Sequence, residues 1–144
     1  MMRKNQERRN NIYIILTPLV ALIAPFLVFI IEQPLPYPYI VEELAKAVFA
    51  YLILSEDSLG MKKIGFAALI ALLFSLSETV LYLFNLYVSN TVTVVFQRLI
   101  FTSSMHAVTL VIMVTVGMVN KKYLPLGILL GVIIHYSYNR LLGY

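Results

Sequence analysis

The sequence predicts an all-α bundle of about five transmembrane helices. Hydrophobic residues make up 60% of the 144 and charged residues only 12%, against about 45–50% and about 25% in a soluble domain. Apolar runs recur at close to the ~20 residues that a helix rising 1.5 Å per residue needs to cross the hydrocarbon layer. The basic residues gather in short clusters between those runs. That clustering explains the net charge of +4 by membrane topology, with no nucleic-acid partner. The length fits one domain. The absence of cysteine excludes disulfides, a thiol nucleophile and thiolate metal sites.

The first span, about 12–31, carries no charge and follows a basic start, Arg3-Lys4 and Arg8-Arg9. Its run exceeds the ~7–15 apolar residues of a signal peptide, and Pro25 follows the small-residue stretch Ala21 to Ala24. We read a retained helix, kinked at Pro18 and Pro25. The link from Glu32 to Pro38 is proline-rich and extended. The second span, about 39–54, is short and interrupted by Glu42, Glu43 and Lys46; the third, about 64–88, contains Glu78. The fourth, about 92–119, contains Arg98 and His106, and the fifth, about 124–142, contains His135 and Asn139. Polar turns at 55–63, 89–90 and 120–122 connect them. No loop is long enough for a soluble domain, so activity belongs inside the bundle or at its mouth.

With the N-terminus cytoplasmic, Arg3, Lys4, Arg8, Arg9, Lys62, Lys63, Lys121 and Lys122 all lie inside: eight of the eleven Lys and Arg residues. This positive-inside pattern predicts a multi-pass cell-membrane protein with a cytoplasmic N-terminus and an outer C-terminus. Tyr37, Tyr39, Tyr87 and Tyr144 read as an interfacial belt.

Each charge at mid-bilayer costs ~2.5–3.5 kcal/mol on insertion scales, which makes intramembrane ionisable residues functional candidates. Counted along each span, Glu42, Glu43, Lys46, Glu78, Arg98, His135 and Asn139 fall within roughly 5–15 Å of the outer boundary, with His106 deeper. They also fall on shared faces. Ser75, Glu78, Tyr82 and Asn85 form one stripe; Arg98, Thr102, His106 and Thr109 form another. Gly127, Gly131, His135 and Asn139 repeat every four residues, the glycines permitting close helix approach. The set offers carboxylate, imidazole and amide. A carboxylate near an imidazole can deprotonate water, and an imidazole with an amide can steady an oxyanion. The same groups suit a zinc ion or a proton relay.

The motifs also resemble a family. Glu42-Glu43-Leu44-Ala45-Lys46 is similar to the EExxK motif of the PrsW-type intramembrane proteases. Glu78-Thr79-Val80-Leu81-Tyr82 is similar to the ENxxY-type motif, with Thr79 at the usual Asn. Arg98 with His106-Ala107, and His135 with Asn139, resemble the remaining two, in the right order over about residues 39–142. The resemblance places the chain beside the CAAX-processing endopeptidase and the gamma-secretase scaffold subunit. It implies a glutamic intramembrane endopeptidase with no metal and no cofactor. Its substrate would be a single-pass or membrane-anchored polypeptide, cut near the outer face. Glu42, the first Glu, would be the base, and Glu43 would orient or pair with Lys46. His106 would help hold the water, and His135 and Asn139 would stabilise the oxyanion. Lys46, Glu78 and Arg98 would support these, the last two pairing with each other. The alternatives are a non-catalytic scaffold subunit of the same fold, or a proton- or metal-coupled transporter.

Overall fold

The computed structural model describes residues 2–85 and 92–142. The described residues form five α-helices: α1 Met2–Glu32, α2 Pro38–Ser55, α3 Lys63–Asn85, α4 Val92–Val119 and α5 Leu124–Leu142. Short 3-10 turns at Asp57–Lys62 and Lys121–Tyr123 join α2 to α3 and α4 to α5. No described residue lies in a strand. The fold is an all-α helical bundle.

Helix α1 begins ten residues before its apolar run, because the polar stretch from Arg3 to Arg9 is itself rich in helix-forming residues. It continues as one element through Pro18 and Pro25. Pro38 sits at the first turn of α2, where a missing N–H removes nothing from the helix. After α2, Glu56 accepts a hydrogen bond from the backbone N–H of Ser58 at 3.2 Å, and Gly60 takes φ +48°, a conformation that a side chain would strain. Asn120 closes the next turn by accepting from the Lys122 N–H at 3.0 Å.

Among the described residues, three stretches are long and apolar enough to cross a membrane: Ile12–Glu32, Asp57–Phe84 and Leu99–Val119. These apolar helices belong in a lipid bilayer. α2 misses that mark because Glu42, Glu43 and Lys46 fall within its 18 residues. α5 is 19 residues long and turns polar from His135 to Arg140.

Helix α2 is the hub and packs on all four others. Helices α1, α3, α4 and α5 follow one another around it, each packed on the next. Along α1 the buried stripe Thr17, Ala21, Pro25, Val28 is narrow, while Ile15, Leu19, Ile23, Leu27 and Ile30 stand exposed. A small-residue seam with a broad apolar exterior is how a helix packs when its other solvent is lipid. The core gathers Phe49, Ala50 and Ile53 of α2, Ala67, Ile70 and Phe74 of α3, and Leu110, Met113 and Val114 of α4. Gly127 brings α5 onto α4: a Cβ there would stand 2.9 Å from the Met113 Cα. That contact fixes how α5 meets the polar residues one and two turns further along.

Candidate functional site

In the half of the bundle away from the paired lysines, the buried faces turn polar. Glu43 and Lys46 of α2, Ser75 of α3, and His106 and Thr109 of α4 are fully buried, with His135 of α5 nearly so. The stripes expected on α2, α3, α4 and α5 converge here.

Lys46 organises the cluster. Its ammonium has three hydrogens and meets three acceptors: the Glu43 carboxylate, the Thr109 hydroxyl at 2.8 Å and His106 Nδ1 at 2.9 Å. Thr109 passes its own hydrogen to the His106 carbonyl at 3.2 Å. A lysine ammonium donates and cannot accept, so Nδ1 of His106 is the acceptor and its hydrogen sits on Nε2. That Nε2–H points at Glu78 Oε2, 2.5 Å away. Phe74 packs against the His106 ring with centroids 5.4 Å apart. His106 is thereby held on both nitrogens.

His135 is held differently. Its Nδ1 lies 2.8 Å from Glu43 Oε1, the oxygen that Lys46 also engages. An ion-paired carboxylate accepts only, so His135 carries a hydrogen on Nδ1, and in the neutral ring Nε2 is left as an acceptor. Gly131, one turn earlier, makes room for Glu43: a Cβ there would stand 2.9 Å from Glu43 Oε2. The glycine thus seats the carboxylate as well as joining two helices. Tyr39 covers the far side of His135, with centroids 6.1 Å apart, and contacts Tyr136 at 5.8 Å. Tyr39, read as belt, also packs beside the site.

Glu42 is turned about 100° from Glu43 around α2. Its Oε2 is buried with no hydrogen-bond partner, 3.7 Å from His135 Nε2 and 4.0 Å from His106 Nε2. It borders a cavity of about 260 Å³ that Glu32, Glu78, Tyr82, His135, Tyr138 and Asn139 also line. Asn139, one turn beyond His135, lines the same space.

The expected residues other than Arg98 therefore assemble. Arg98 belongs to α4, but its side chain lies outside the described residues, as does Asn85 of the α3 stripe. Glu78 has His106 as its partner. Thr79, at the Asn position of the third motif, turns its hydroxyl to the Ser75 carbonyl at 2.9 Å. Sequence reasoning missed Glu32, which ends α1 and brings a second buried, unpartnered carboxylate oxygen to the cavity wall. A charge adjoining an apolar span was the available signal, and the proline-rich link obscured it.

Ligand atoms of Glu42, Glu78 and His106 lie within 4.8 Å of one another, the spread of a cation site. Their hydrogen bonding would have to open to admit one. Two ligands of a tetrahedral zinc at ~2.0 Å stand ~3.3 Å apart, whereas His106 Nε2 and Glu78 Oε2 are at 2.5 Å and share a hydrogen. To coordinate, His106 would have to shed that proton with Lys46 still donating to Nδ1.

No family model, curated protein or solved structure matches the chain.

Proposed function

We propose that the chain is an intramembrane peptide hydrolase of the glutamic type, acting on single-pass or membrane-anchored polypeptides. The observation that carries the reading is Glu42 Oε2: a buried carboxylate oxygen without a partner, facing an imidazole nitrogen, at the wall of a cavity with an amide on the same wall. The four ordered motif resemblances point the same way. A water between Glu42 and His135 fits their 3.7 Å separation, because two hydrogen bonds of ~2.8 Å can bridge up to ~5.6 Å. In the reaction a water O–H bond breaks and its proton goes to Glu42 Oε2. The water oxygen bonds to the carbonyl carbon, and the carbonyl π pair moves onto its oxygen, where the Asn139 amide donates. Collapse breaks the C–N bond, and Glu42 returns the proton to the leaving amine.

In this reading all five helices cross the bilayer. At 1.5 Å per residue α2 and α5 are ~27 and ~28.5 Å long, close to the ~30 Å hydrocarbon layer, and α2 is sheltered by the other four. The lysine-bearing turns face the cytoplasm and the cavity opens in the outer half.

The test is cleavage of candidate single-pass substrates by the protein reconstituted in liposomes. Wild type should cleave and keep its activity in chelator. Glu42→Gln should fall to background while its melting temperature stays within a few degrees, and Asn139→Ala should lose ~10²–10³ in rate. A folded Glu42→Gln protein with near-wild-type turnover would overturn the reading and favour a non-catalytic scaffold.

A further inference from the structure

The two histidines of the chain sit 5.6 Å apart, ring to ring, yet their partners are of opposite kinds. His106 Nδ1 faces a cation, and its Nε2–H is spent on Glu78. His135 Nδ1 faces a carboxylate, and its Nε2 faces a second carboxylate, Glu42, at 3.7 Å. The motif resemblance assigns water-holding to His106 and oxyanion stabilisation to His135. The hydrogen bonding favours neither assignment. His106 stands 4.0 Å from Glu42, with its one ring hydrogen committed to Glu78. Neutral His135 has no hydrogen on the nitrogen that reaches the cavity, so it cannot donate to an oxyanion.

We propose that His135 is a catalytic residue of the water-activating side, fixed there by Glu43 and Lys46 as a positioning pair, and that His106 is structural; this rests on the hydrolase reading above. Glu42 Oε2 and His135 Nε2 are two acceptors facing one another. A water between them donates one hydrogen to each. With both hydrogens so engaged, its lone pairs are directed away from Glu42 and His135, toward the space the scissile carbonyl would enter. When Glu42 takes its proton, the other O–H remains bonded to His135 Nε2, so the nucleophile stays aimed as the C–O bond forms. Lys46 and Gly131 hold Glu43 in place; Glu43 keeps the hydrogen on His135 Nδ1; that leaves Nε2 free to accept. Asn139 is then the oxyanion donor on α5.

The arrangement makes a prediction that needs no substrate. The protein labelled with ¹⁵N-histidine has two histidines to resolve, and nitrogen shifts report which ring nitrogen bears hydrogen. At neutral pH, in detergent or nanodiscs, His135 should show a protonated Nδ1 and a bare Nε2, and His106 the reverse. Substitution of either histidine assigns the signals. In the cleavage assay Glu43→Gln, confirmed folded by its melting curve, should lower kcat on the order of 10²-fold or more by loosening the imidazole's tautomer, with KM within about twofold. Two histidines in the same tautomer, or His135 with its hydrogen on Nε2, would overturn the assignment whether or not Glu43→Gln folds. So would a folded Glu43→Gln protein with wild-type kcat. A wild-type protein with the expected tautomers that cleaves nothing would sink the hydrolase reading, and the catalytic assignment with it; only the tautomers would stand.

Discussion

Helix α2 has two halves that are equally buried and differently held. Toward its C-terminus, Phe49, Ala50, Ile53 and Leu54 meet apolar neighbours on α3 and α4. One turn earlier, the same helix buries Glu43 and Lys46 just as completely. In lipid the apolar half gains little from leaving its solvent, which is as apolar as leucine, so shape must hold it together. The polar half is held by a count: every donor needs an acceptor where no water can substitute. Packing tolerates small errors of volume, whereas a donor count does not tolerate a missing partner.

The largest way to break this contrast is Lys46→Met. It keeps the volume and removes three donors, leaving the buried Glu43 carboxylate without its cation. Removing one member of a buried ion pair costs ~3–5 kcal/mol, and reversible unfolding in mixed micelles should show a loss of that order. A loss below about 1 kcal/mol would mean that the polar half is held by shape as well. In the apolar half, Gly127→Ala drives a methyl against the Met113 backbone and should cost ~1–3 kcal/mol by overpacking. Tautomer signals of both histidines unchanged in that variant would show the two halves to be mechanically separate. The smallest effect belongs to Ser75→Ala, which removes the 2.8 Å bond to Ser103. Interhelical hydrogen bonds in membranes average ~0.6 kcal/mol, and a loss of unfolding free energy well beyond that would mark the Ser75–Ser103 pair as part of the Lys46 network.

The fold was largely legible. An apolar run followed by Asn120-Lys121-Lys122 marks both the end of α4 and the start of α5, because charge and turn chemistry coincide there. The start of α1 was not, since hydropathy locates a membrane stretch and Arg3 to Arg9 continue the helix outside it. Within the site, spacing of three and four put the right residues on shared faces. It could not say which histidine meets which glutamate. That depends on how each helix is rotated about its own axis, a quantity no single-helix pattern contains. Glu32 stayed hidden for a related reason: its place at the cavity depends on the chain turning back through Pro34 and Pro36.

The span of the Lys46 contacts along the chain bears on how the protein is made. Glu43 is only three residues away, but His106 is 60 residues later, and Glu43 waits 92 residues for His135. When α2 emerges from the ribosome it has one local ion pair and none of its distant partners, and at ~2.5–3.5 kcal/mol per charge it is a poor candidate to enter lipid alone. On the proposed five-span topology, its entry waits until α4, and then α5, are synthesised to receive it. The polar cluster therefore sets an order of assembly: the central helix is the last to be settled, and a chain truncated before α5 has no finished place to put it.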